Sequence, residues 1–174
     1  MTPAITVRRG EFADRDFVTD LGHRTATSSV SPVREPRHAD VLEAFDRLVD
    51  FVYGRRHDVL IAEENGTPIG FLLLLYDIPD EVTLMEQAFV AYTAVEPSAR
   101  RRGAGRALMD AAETSARAHG RRYVSLMVTD DNAPARAHGL RYVSLMVTDD
   151  NTPARALYDH AGFVTERRML TKTL

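Results

Sequence analysis

Hydrophobic and polar positions along this chain follow two periods in turn, and the switches between them mark out its elements. Ile5, Thr6, Val7 and Arg8 alternate with period two and predict a first strand over Ile5–Arg9. Asp14 is placed to cap a helix running to about Thr25, with Phe17, Val18 and Leu21 on one face. Thr27 to Arg37, rich in serine and proline, reads as a loop. Val41, Leu42, Phe45, Leu48, Val49 and Val52 then keep helical spacing, which predicts a second helix over about Ala39–Tyr53, ended by Gly54. Strand patterns return at Val59–Ala62 and, after an Asn65-Gly66 hairpin turn, at Pro68–Tyr76. Asp77 to Asp80 is a further turn. Glu86–Val95 is a strand that runs into a turn rich in arginine and glycine, and Ala107–Ala118 is a clean helical run.

That turn, Val95 to Arg106, carries the strongest chemical signal. Small residues let the backbone curl closely around a ligand. The first amides of the next helix lack intrahelical partners, and the helix dipole favours an anion there. Arg100, Arg101, Arg102 and Arg106 would add charge-assisted bonds, so the turn is suited to phosphate. A solvated basic turn is the plainer reading. Strand, Pro97, Arg100-x-x-Gly103-x-Gly105 and helix in that order are more specific than an arginine run or a lone Gly-x-Gly.

The segment resembles the acetyl-CoA-binding signature of the GNAT superfamily of N-acetyltransferases, Arg/Gln-x-x-Gly-x-Gly/Ala after a strand. The resemblance covers nearly the whole chain, more closely from Val59 onward. It implies an α/β (α+β) domain over residues 1–174, with a mixed, mostly antiparallel central sheet flanked by helices. It also implies acetyl-CoA as cosubstrate and direct transfer to an amine, with a base for the amine proton and an acid for the leaving thiolate. Arg100, Arg101, Arg102, Gly103, Ala104, Gly105 and Arg106 would then cradle the pyrophosphate. Thr93, Ala94 and Val95 would offer backbone groups to the pantetheine arm. Asn151, Ala154 and Tyr158 match the family pattern Asn-x-x-Ala-x-x-x-Tyr-x-x-x-Gly-Phe, completed by Gly162 and Phe163. The resemblance makes Tyr158 the acid, against the plainer reading of a core tyrosine on an amphipathic helix. Asn151 would bond the pantetheine or cap the last helix. Phe89 stands where some members carry a glutamate base. Glu86 would have to work through water, and a solvated strand-end carboxylate is its plainer reading.

Downstream the sequence repeats. Residues 116–134 and 135–153 are abutting copies of 19 residues that differ only at Arg121 versus Leu140 and Ala133 versus Thr152. Identity this high points to a tandem duplication rather than a repeat architecture. The strand Tyr-Val-Ser-Leu-Met-Val therefore occurs twice, while the helix after it is complete only after the second copy. Three arrangements follow. Tyr142–Val147 takes the strand site and residues 120–140 bulge out; Tyr123–Val128 takes it and the second copy is displaced; or the copies pair between chains as a swapped homodimer. The first keeps strand, helix and last strand contiguous and is the expected one.

Composition narrows the picture only a little. The 174 residues are 44% hydrophobic and 27% charged, with net charge −3, so the basic cluster is local and gives no general case for nucleic acid binding. Without cysteine there is no disulfide framework or thiolate nucleophile, and the six histidines show no ligand spacing, so no metal is expected. Met1–Gly10 has no apolar signal core, and the longest apolar run, Ile69–Tyr76, is too short to span a bilayer; a cytoplasmic location is expected. The acceptor reads as an unidentified primary amine, a small molecule in preference to a protein N-terminus. The rival reading is a CoA-binding protein without turnover, its site remodelled by the duplication.

Overall fold

Six strands form one sheet in chain order in the computed structural model, which describes residues 5–30, 36–81, 83–129, 151–160, 165 and 167–174. Within these, the side chains of Ser29, Val128, Thr129, Ala154, Leu157, Tyr158, Arg167, Met169 and Thr171 lie outside the description. The elements are β1 (Ile5–Arg9), α1 (Arg15–Ala26), α2 (His38–Tyr53), β2 (His57–Glu64), β3 (Thr67–Leu75), β4 (Ala88–Val95), α3 (Ala104–Ala118), β5 (Tyr123–Thr129), α4 (Thr152–His160) and β6 (Arg167–Thr173). Neighbouring strands are antiparallel except β4 and β5, which are parallel and joined across α3. The expected mixed, mostly antiparallel sheet flanked by helices is therefore observed.

β2 and β3 are apolar on both faces because both faces are covered. Leu60, Ala62, Leu72 and Leu74 pack with Leu108, Ala112 and Ala116 of α3. Val59, Ile61, Phe71 and Leu73 pack with Val18 and Leu21 of α1 and with Phe45, Val49 and Val52 of α2. Polar contacts tether α3 as well: the buried Asp58 carboxylate of β2 accepts from Tyr76 Oη at 2.6 Å and from Ser115 Oγ of α3. Among the described residues no helix is long and apolar enough to cross a membrane.

Three expectations are corrected. Asp14 does not cap α1; Arg8 holds its carboxylate through two 2.7 Å bonds, and Glu11 N–H donates to it as well. The helix expected from Ala107 begins at Ala104, directly on the glycine turn. The third concerns the repeat: the first copy, not the second, forms β5 between β4 and β6. The end of α3 leads directly into it. Gly120 adopts φ +71°, Arg121 N–H donates to Ala116 O and Gly120 N–H to Arg117 O, so the chain turns straight from helix into strand. Tyr142–Val147 lies outside the described residues.

Two stability predictions follow from the packing. A Cβ at Gly22 would lie 1.9 Å from Cζ of the buried Phe45. Gly22→Ala is expected to destabilise by about 1–3 kcal/mol through overpacking, despite its better helix propensity, as read by denaturant unfolding. Asp14, 12% exposed, has its carboxyl held below the ordinary range, chiefly by the Arg8 guanidinium. A depressed pKa contributes stability above the unfolded value and loses it as pH falls through the folded one. Asp14→Asn is expected to cost about 1–2 kcal/mol at neutral pH, with the gap from the parent closing below about pH 4. An equal gap at pH 7 and pH 3 would contradict this account.

Candidate functional site

A wedge opens inside the sheet. β4 and β5 pair only at Ala88–Val124, Phe89–Ser125 and Val90–Leu126. Beyond that point β5 stays on β6 as far as Thr129, and β4 stays on β3 as far as Val95. The β3–β4 register slips between Leu73 and Leu74, which leaves Ala91 as an extra residue. Such a bulge reverses the alternation of side chains. Ala88 and Val90 face α3, but Tyr92 and Ala94 pack on the α1–α2 side. Thr93, between them, points to the α3 side and is exposed although it sits in an interior strand.

The backbone shows which of the three predicted β4 residues can serve a ligand. Glu96 N–H donates to Ile69 O of β3 at 2.8 Å. By alternation Ala94 also turns its peptide groups to β3, whereas Thr93 and Val95 turn theirs to the open edge. Val95 O accepts from Arg100 Nε at 3.3 Å.

The turn at the mouth of the wedge is shaped by local strain and then held by ion pairs. Arg101 takes φ +64° and Gly103 φ +99°, so the chain reverses into α3 within a few residues. Ala107 N–H is bonded to Gly103 O, which leaves the amides of Gly103, Ala104, Gly105 and Arg106 ahead of the helical ladder, and no side chain caps them. Among the described residues a Cβ on Gly103 or Gly105 would meet nothing within 4 Å; Gly103 needs glycine for its φ of +99°, whereas at Gly105 no described contact demands it. Arg102 pairs with Glu64 and reaches Ser98 O at 3.4 Å. Arg24 of α1 forks onto both oxygens of Glu96 at 2.7 and 2.8 Å. Among the described residues Arg101 and Arg106 make no ion pair, and both are exposed beside the positive end of α3. The four predicted arginines thus divide: Arg100 and Arg102 brace the turn, while Arg101 and Arg106 are available to an anion.

The remaining predicted residues are scattered. Glu86 lies just before β4, 75% exposed, and is paired with Arg121. Asn151 directly precedes α4 and its carbonyl accepts from Arg155 N–H at 3.0 Å, the geometry of a cap position. Ala154 and Tyr158 are on α4, three and seven residues after Asn151. The side chains of Ala154 and Tyr158 lie outside the described residues, as do Gly162 and Phe163. On the α1–α2 side, Tyr92 stacks on Phe71 with centroids 6.0 Å apart and meets Phe45 edge-on at 4.9 Å. Its hydroxyl is 3.2 Å from Thr25 Oγ1, which itself donates to Leu21 O. Sequence periodicity missed Tyr92 because only the Ala91 bulge turns it to that face.

Comparison with known proteins agrees with this geometry. The family model described as the acetyltransferase (GNAT) family matches residues 29–138, well over half of the chain. The match runs through β4, the turn, α3 and the first copy of the repeated strand. No curated protein sequence matches the chain. Among solved structures, a Pyrococcus furiosus protein assigned as an acetyl transferase is 20% identical with TM-score 0.61, over 98% of this chain and 100% of its own. A GCN5-related N-acetyltransferase from Ralstonia eutropha JMP134 is 17% identical with TM-score 0.58, over 93% and 94% respectively. A GNAT family acetyltransferase from Brucella melitensis, solved in complex with acetyl-CoA, is 18% identical with TM-score 0.53, over 71% and 75%. At these identities the structures share the fold.

The open space over Gly105 separates binding from stability. Gly105→Ala removes a glycine from the first turn of α3 and is expected to stabilise the protein by up to about 1 kcal/mol. The added methyl group fills the cradle and should weaken coenzyme A binding roughly tenfold, about 1.4 kcal/mol. Thermal unfolding and calorimetric titration read the two effects, and unchanged affinity would remove the cradle assignment.

Proposed function

The chain belongs to the GNAT acetyltransferase family, and from that premise we propose that it moves the acetyl group of acetyl-CoA directly onto a primary amine. One observation carries this reading: a parallel strand pair that parts beside an uncapped helix end, with a glycine, Gly105, that no packing contact among the described residues requires. The thioester supplies an activated acyl group. In this reading the chain's own groups do the rest. The amides of Gly103 to Arg106, with Arg101 and Arg106, hold the diphosphate, and Arg100 and Arg102 keep the turn in shape. Thr93 and Val95 pair with the amides of the pantetheine arm much as a further strand would. Asn151 both caps α4 and bonds that arm. Tyr158, two turns along α4, gives its proton to the departing thiolate. Phe89 stands where some family members carry glutamate, so the amine proton leaves through water, with Glu86 as its acceptor.

The acceptor side is the α1–α2 face, where Tyr92 and Thr25 present a polar pair within an aromatic cluster. A small-molecule amine suits this reading better than a protein N-terminus. The solved neighbours do include a ribosomal-protein-S18-alanine N-acetyltransferase from Escherichia coli, 17% identical. A second reading, cofactor binding without turnover, is favoured by one finding. With the first copy in β5, residues 130–151 separate that strand from the helix bearing Tyr158.

Acetyl-CoA titration and thiol release over a broad amine panel distinguish the two readings. Tyr158→Phe is expected to lower kcat by about 10²-fold, at the lower end of acid–base assistance. Acetyl-CoA affinity should stay within about twofold. An undiminished kcat rules out Tyr158 as the acid, and a parent protein that binds acetyl-CoA yet acetylates nothing supports the second reading.

A further inference from the structure

The two copies of the repeat offer the same strand sequence, yet only one builds β5. Backbone propensity does not choose between them, because Tyr123–Thr129 and residues 142–148 are identical. Nor does the buried bond from Ser125 Oγ to Gln87 Oε1, at 2.6 Å, because the second copy has Ser144 in the same place. Nor does the helix end before the strand: His-Gly precedes Arg121 in one copy and Leu140 in the other, and an apolar residue after the capping glycine suits that turn well.

Arg121 is different. Its side chain is 9% exposed and pairs with Glu86 ahead of β4. It also donates to Tyr76 O, at the end of β3, at 3.0 Å. It therefore ties the start of β5 to the end of β3 and to the approach to β4, beside the closed end of the wedge. The other difference between the copies, Ala133 versus Thr152, falls at the start of α4 in the second copy and outside the described residues in the first.

We propose that Arg121 is a positioning residue that selects the first copy as β5 and so fixes where the wedge opens. Leucine at that place leaves the Tyr76 carbonyl without this donor and Glu86 without its counter-charge. The test reads strand identity and stands whatever the cleft binds.

The chain has no cysteine, so engineered pairs report cleanly. Ser125 and Thr171 are register partners across β5 and β6. Facing residues in antiparallel strands have Cα atoms about 4.5–5.5 Å apart, within disulfide range. Thr171→Cys is combined with either Ser125→Cys or Ser144→Cys, and the bridged monomer is quantified by mass spectrometry after oxidation. In the parent background the 125–171 bridge should exceed the 144–171 bridge by at least roughly tenfold, the weight of one charge-assisted contact. Exchanging the residues, Arg121→Leu with Leu140→Arg, should reverse the preference. Arg121→Lys, which keeps a cationic donor, should preserve it. Leu140→Arg alone keeps Arg121 and its contacts and should raise the 144–171 yield, so it remains informative if the exchanged protein does not fold. Retained preference for position 125 in the exchanged protein, or no rise with Leu140→Arg, overturns the proposal.

Discussion

The open cleft of this fold depends on a parallel strand pair that stays together for only three residue pairs. A β-strand inside a sheet normally bonds on both edges, and backbone groups left without partners are costly once water is excluded. β4 meets that requirement toward β3 along its length but toward β5 only as far as Val90. From Thr93 to Val95 its outer edge is a row of donors and acceptors set inside the sheet. Such an edge suits an extended, amide-bearing ligand that enters as a surrogate strand. The Ala91 bulge sits where the strands part, and it also sorts side chains, sending Tyr92 to one face and Thr93 to the other.

A wedge of this kind works only if both ends are fixed. At the closed end, Ser125 reaches Gln87, and Arg121 reaches Glu86 and the Tyr76 carbonyl. At the open end, Glu64 holds Arg102 and Arg24 holds Glu96. Between them α3 is seated by Leu108, Ala112 and Ala116 and by the Ser115 hydroxyl on buried Asp58. Tyr76 shares that carboxylate and stacks on His119 at 4.0 Å, and burial, aided by Asp58, pushes its phenol pKa up, so it stays a neutral donor at physiological pH. The positive end of α3 is thereby aimed at the mouth of the wedge by packing, not by a ligand.

Periodicity made most of the architecture legible. Val41, Phe45, Val49 and Val52 announced α2, and they are buried as their spacing requires. Asn65 and Gly66 announced the β2–β3 hairpin, and both take positive φ. The glycine spacing at 103 and 105 announced the turn, where Gly103 takes φ +99° and, among the described residues, a Cβ at Gly105 would meet nothing within 4 Å. What stayed illegible depended on distant partners. Asp14 has the residue type and position of a helix cap, but Arg8 from β1 captures it. The Ala91 bulge has no local signature, since alanine fits either alternation. The bracing role of Arg100 and Arg102 rests on Val95 O and Glu64, the latter on β2, and nothing within the motif distinguishes them from Arg101 and Arg106.

The repeat carries the same lesson further. Local sequence describes two equally good strands, so the selection between them comes from tertiary contacts that one copy can make and the other cannot. Contiguity downstream favoured the second copy, but the contacts of Arg121 with Glu86 and the Tyr76 carbonyl are open only to the first. This divides the site along the sequence. The proposed binding half, from Thr93 to Arg106, lies entirely before residue 116. The half that would complete a reaction, Asn151 to Tyr158, comes after both copies, so its approach to the wedge depends on how residues 130–150 are accommodated. In the proposed function, duplication of the strand therefore spares cofactor anchoring and places its burden on turnover.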